Sequence, residues 1–221
     1  MVRAAIILFP AAMFFVGAYD HATSFANSAA IGSPFLATPL GRGAPARPQT
    51  SDVPNTDVGI TIEQAYAAIP HHRTVWVESD SPIPSKERAY LAVIFQVLDQ
   101  AVAVRVAGQQ NFSSQRFDDP DIVGDYSRLI DFVRSITVPS TLISYHKSIL
   151  AALSGQRQFF ADWKDQRDKF QFARQVGNHP GVRKASGALR AAYDQLMSKY
   201  RNETSTNKAA FYDYHCALDF L

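Results

Sequence analysis

The sequence predicts an all-α protein: an antiparallel bundle of four main helices, with short accessory helices and an extended Pro-rich N-terminal arm. Three observations carry this. Four long stretches place apolar residues three and four apart, the period at which one face of a helix meets a core. Breaks rich in Pro, Gly, Asn and Asp separate these stretches, and short connections suit antiparallel neighbours. No internal repeat of about 20–50 residues is visible, so a solenoid is not expected.

The chain opens with Arg3 and an apolar run over residues 4–18. A membrane-spanning helix needs roughly 20 apolar residues, so this run is short and has the length of a secretory signal core. Ser24 and Ala26 offer small side chains at the positions a signal peptidase reads. Residues 1–26 are therefore expected to be a signal peptide and the protein to be exported, periplasmic or secreted, with no stable membrane span. No cysteine stands near the run, so a lipoprotein anchor is not expected. Residues 27–60 carry Pro34, Pro39, Pro45, Pro48 and Pro54 without apolar periodicity, and are expected to form an extended linker or arm. Residues 61–221 are then the helical domain.

Thr61 and Gln64 fit a capping box, in which each side chain satisfies the other's free backbone donor. The short helix they open is expected to stop near Ile69, before Pro70. His71, His72 and Arg73 follow, and Thr74, Val75, Trp76 and Val77 have the composition of an extended segment. After Pro82 and Pro84, Ser85 is expected to cap a helix. Residues 89–107 are apolar on nearly every face, interrupted by Gln96, Asp99, Gln100 and Arg105. Such a helix is central in a bundle or lies at a subunit interface. Its residues 101–106 alternate with β-branched side chains, so a local strand competes there.

Residues 111–119 are expected to be a loop, with Asp119 capping the next helix and Pro120 at its first position. Ile122, Tyr126, Leu129, Val133 and Ile136 are its seam, and Pro139 ends it. The longest seam follows: Leu142, His146, Ile149, Leu153, Gln156, Phe160, Trp163, Arg167 and Phe170. His146 and Gln156 stand on it where Leu would be expected. Gly177, Pro180 and Gly181 mark a stop and restart. Val182, Ala185, Leu189, Ala192, Leu196 and Tyr200 form the next seam. A break over residues 202–207 leaves residues 208–218 as a last short helix.

Composition excludes several functions. Lys and Arg total 22 against 20 Asp and Glu, a net charge of +2, and the longest basic cluster is Arg183 with Lys184. Duplex binding needs a stripe of cations to neutralise phosphates, so no nucleic acid is expected. The single cysteine, Cys216, rules out an internal disulfide, a zinc ribbon, a Cys-x-x-Cys redox pair and a c-type haem attachment.

Candidate sites remain. His146 is a candidate metal ligand, with a partner from His179 or His215, since bundles place ligands on inward-facing positions. The Glu-x-x-His and His-Glu-x-x-His motifs are absent, and a core histidine with a hydrogen-bond partner on a neighbouring helix competes. The His71 and His72 pair is a surface candidate for copper or zinc. Tyr212, Asp213, Tyr214, His215 and Cys216 form a further cluster, although adjacent His and Cys point in different directions on a helix. Gln156, Phe159, Phe160 and Trp163 are a candidate ligand or partner surface, competing with a bundle end closed by large side chains. Asn111 and Asn202 match the N-glycosylation pattern. No phosphate-binding Gly-rich loop, Gly-x-Ser-x-Gly elbow or Ser-x-x-Lys motif stands in a supporting context. No cofactor is specified. The expected function is that of an exported, non-enzymatic helical bundle binding a protein partner, a second copy or a small apolar ligand. The alternatives are a metal- or haem-binding bundle using His146 with a second histidine, and an enzyme with a dispersed site.

Overall fold

The structure, a computed structural model, describes residues 52–116, 120–166, 172 and 174–220. The expected signal peptide, most of the Pro-rich arm, Asp119, Arg167 and Phe170 lie outside them. The described residues are all-helical, with no strand. Among the described residues are six α-helices: α1 (Ile62–Ala67), α2 (Ser85–Ser113), α3 (Ile122–Ser135), α4 (Ile143–Asp165), α5 (Pro180–Lys199) and α6 (Ser205–Leu218). Short 3₁₀ turns stand at Glu78–Asp80, Ser140–Leu142 and Val176–Asn178.

The capping box forms as expected, with the Gln64 amide N–H on Thr61 Oγ1 at 3.2 Å and the Thr61 N–H on Gln64 Oε1 at 2.8 Å. Ser85 does not cap α2. Pro84 holds the cap position and Ser85 is already helical, with no side-chain cap bond. The strand alternative for residues 101–106 is overturned, because α2 is continuous through them. The loop expected from residue 111 is likewise corrected. α2 runs on to Ser113 because Phe112 is buried edge-on against Phe160 and Trp163, at 5.5 and 5.2 Å between ring centres. α2 is long and apolar enough to cross a membrane by length and composition, but 83% of the qualifying window is buried inside the protein.

Three of the four polar interruptions of α2 reach other segments. Asp99 accepts from Tyr66 Oη at 3.0 Å and from Arg73 Nη2 at 2.5 Å. Gln100 accepts from Thr56 Oγ1 at 2.7 Å, which seats residues before α1 on α2. Arg105 donates to the Ala217 carbonyl at 2.9 Å. A charge inside an apolar helix is tolerated where another element supplies its partner.

Side-chain contacts give the helix directions. Ile122 stands beside Gly108 and Tyr126 reaches Ala101, so α3 runs back along α2. Tyr90 meets His146 while Phe112 meets Phe160, so α4 runs in the sense of α2 and opposite to α3. Gln195 meets Ser148 while Gly181 meets Gly155, so α5 runs opposite to α4. Tyr193 meets Tyr212 while Ser186 meets Asp219, so α6 runs opposite to α5.

The helix starts follow capping chemistry, with two shifts from expectation. Asp121, not Asp119, caps α3 by accepting from the Gly124 N–H at 3.1 Å, and Pro120 lies before the cap. α6 begins at Ser205, three residues earlier than expected, because Thr204 Oγ1 accepts from the Asn207 N–H at 3.1 Å. α4 ends at Asp165, with Gln166 extended.

Residues 74–77, expected to be extended, form neither strand nor helix, and pair with a helix. The Val77 N–H donates to Asn207 Oδ1 at 2.8 Å, and Asn207 Nδ2 donates to the Val77 carbonyl at 3.1 Å. The Thr74 N–H donates to Asp213 Oδ2 at 3.0 Å. Side chains of α6 thus do what a neighbouring strand would do for the backbone.

Candidate functional site

The three candidate histidines occupy three separate places. His146 is half-buried, with Nδ1 3.0 Å from Tyr90 Oη of α2, and burial lowers its pKa. His179 caps α5, its Nδ1 accepting from the Gly181 N–H at 3.1 Å while Nε2 meets Asp162 Oδ2 at 3.0 Å. His215 is fully buried on α6. Its Nδ1–H donates to the Phe211 carbonyl at 2.5 Å, which leaves Nε2 to accept from Tyr145 Oη at 3.3 Å. Among the described residues no group of three or more His, Cys, Asp or Glu side chains converges as a metal site.

Burial pushes the His215 pKa down to about 4. The unfolded chain takes up this proton near the ordinary histidine value of about 6.5, so between the two values the unfolded state binds more protons and stability is lost as the pH falls. Denaturant unfolding is expected to give a stability about 2 kcal/mol lower at pH 5 than at pH 7 from this group. In His215→Phe that component of the slope between pH 7 and pH 5 should vanish. An unchanged slope in the variant contradicts the assignment.

Gln156 is completely buried. Its Oε1 accepts from Tyr126 Oη of α3 at 2.5 Å, and its Nε2 donates to the Leu218 carbonyl. Arg105 binds the neighbouring Ala217 carbonyl. The last carbonyls of a helix have no partner within it, and here α2 and α4 supply two. A cation at that end also meets the negative pole of α6. Gln156 therefore sits where Leu was expected because it closes a helix end.

Phe159, Phe160 and Trp163 lie in the interior with Gln156, each at most 4% exposed. Phe160 stacks on Tyr126 at 5.8 Å, and Phe159 meets Phe172, Phe220 and the His179 ring at 5.6, 5.1 and 5.3 Å. These side chains offer no open surface, and close one end of the helix packing. Of the two glycosylation patterns, Asn111 is buried and bonded to Arg116, whereas Asn202 is exposed.

A cleft of about 270 Å³ does open between α5 and α6. Leu189, Arg190 and Tyr193 line it from α5. Tyr212, His215, Cys216 and Asp219 line it from the other side. His215 is thus the one candidate histidine brought to this cleft. The Tyr193 and Tyr212 rings meet edge to face, with centres 5.8 Å apart at 78°. Cys216 Sγ is 3.8 Å from His71 Nε2 and 3.5 Å from Tyr212 Oη. His215 and Cys216 do diverge, His215 towards Tyr145 and Cys216 towards His71, yet both border the cleft. Ser186 Oγ donates to Asp219. Arg190 is exposed and makes no hydrogen bond or ion pair among the described residues. The sequence reading missed Arg190 and Tyr193. Their signal is weak: they lie just off the apolar seam of α5, three residues apart, where a helix presents neighbours to one groove.

Comparison with protein-family models, with curated proteins and with solved structures gave no match to the chain.

Proposed function

We propose that the protein is an exported helical bundle that binds a small, largely apolar ligand in the cleft between α5 and α6, without a catalytic role. The cleft itself carries this reading: it is concave, walled by Leu189 and the Tyr193 and Tyr212 rings, with Arg190 and Asp219 as its charged groups, the pattern of a small-molecule site. Its volume of about 270 Å³ lies at the small end of small-molecule sites. Binding rather than catalysis is supported by His215, whose two ring nitrogens are both engaged and which is held neutral, so it presents ring surface and no free acid or base. The alternating directions of α2 to α5 support an antiparallel bundle of four main helices, to which α6 adds a fifth member, with a Pro-rich arm preceding it. Export rests on the apolar run over residues 4–18.

The neutral fluorescent probe N-phenyl-1-naphthylamine tests the ligand reading. It is expected to show one saturable site per chain, and Cys216→Trp, which places an indole against the cleft, is expected to abolish it. Non-saturable binding, or a site unaffected by the substitution, rejects the reading.

A further inference from the structure

We infer that the ligand of this cleft is a small carboxylate with an aromatic or branched apolar body, held by Arg190; the inference rests on the cleft being a ligand site. The ladder of contacts sets the order of groups along it. Ser186 meets Asp219 at one level, and Tyr193 meets Tyr212 and His215 at another. Arg190 stands between them on α5, four residues from Ser186 and three from Tyr193, which places it about one helical turn from each. An apolar body resting in the corner of the Tyr193 and Tyr212 rings therefore directs its other end towards Arg190.

The charges on the wall decide the polarity of that end. Asp219 accepts from the Ser186 hydroxyl, and its charge lies in the field of the buried Arg105 guanidinium. Arg190 has no partner among the described residues. His215 contributes no charge and no free ring nitrogen. A cationic ligand would meet an uncompensated guanidinium, and a neutral ligand would leave it unpaired. A carboxylate matches it in both charge and shape, since the planar guanidinium presents paired N–H donors. Arg190 is exposed, so its contribution is that of a rim pair, worth about ten-fold in affinity and not thousands-fold.

Displacement of N-phenyl-1-naphthylamine by phenylacetate and by its neutral isostere phenylacetamide reads this directly. Phenylacetate is expected to displace the probe about ten-fold more effectively at low ionic strength. Arg190→Gln is expected to remove that preference while leaving thermal stability unchanged, and Arg190→Lys to retain part of it. Equal displacement by the acid and the amide, or a preference that survives Arg190→Gln, overturns the carboxylate inference while the cleft stands as a ligand site. Displacement by neither overturns it as well. Absence of any saturable probe site removes both readings together.

Discussion

Gly155→Ala is expected to destabilise the protein by about 3 kcal/mol, whereas Gly187→Ala is expected to stabilise it by up to about 1 kcal/mol. Both glycines are inside long helices, where Ala is the better helix former, so propensity alone gives the same sign to both. Packing separates them. A Cβ built on Gly155 would stand 2.4 Å from the Gly181 carbonyl oxygen, with the Ala185 side chain at 3.2 Å. Backbone cannot swing aside as a flexible side chain does, so α4 and α5 would have to part. A Cβ on Gly187 meets nothing within 4 Å. Gly181 mirrors Gly155, since its Cβ would lie 2.6 Å from the Gly155 carbonyl oxygen. Urea unfolding of the two variants tests the crossing. A Gly155→Ala protein as stable as Gly187→Ala would mean that the two backbones do not meet at this point.

The close approach of α4 and α5 illustrates what a sequence conceals. The helices themselves were legible. Seam residues such as Tyr126, Leu129, Val182, Leu189 and Leu196 are buried as their spacing requires. The Thr61 cap and the Pro180 restart were readable because capping is local chemistry. Element ends set by distant packing were not. Phe112 extends α2 because it finds Phe160 and Trp163, which lie about fifty residues away. The candidate site was legible in fragments. Tyr212, His215 and Cys216 stood out as unusual neighbours, but the opposite wall belongs to α5, and nothing local to Tyr193 announces its pairing with Tyr212. His146 and His215 were both candidate ligands in the sequence, yet one is half-buried against Tyr90 of α2 and the other fully buried against Tyr145 of α4. Pairing across helices depends on which faces meet, and single-helix periodicity carries no such information.

Gln156→Leu is expected to cost about 3 kcal/mol although it restores the apolar seam of α4. Leucine matches the volume and removes a polar group, which favours it. Against this, it orphans two buried groups at once. The Leu218 carbonyl loses its donor, and Tyr126 Oη keeps no acceptor better than the Ala101 carbonyl at 3.5 Å. An unmade buried hydrogen bond costs the full desolvation of the stranded group, roughly 1–3 kcal/mol each. Tyr126→Phe alone removes one hydroxyl and leaves Gln156 Oε1 unpaired, for an expected loss of about 1 kcal/mol. In the double variant the only remaining orphan of the set is the Leu218 carbonyl, so its loss should be smaller than the sum of the two single losses by about 1 kcal/mol or more. Additive losses would show that Tyr126 and Gln156 are not bonded to each other. The same cycle separates two roles for a polar residue on an apolar seam. A residue that joins α3, α4 and the end of α6 fixes the level at which α6 lies against α4, and so the level at which Tyr212 and Cys216 face Tyr193 across the cleft. Probe binding in Gln156→Leu should therefore weaken together with stability, and a variant that unfolds more easily yet binds as before would confine Gln156 to the core.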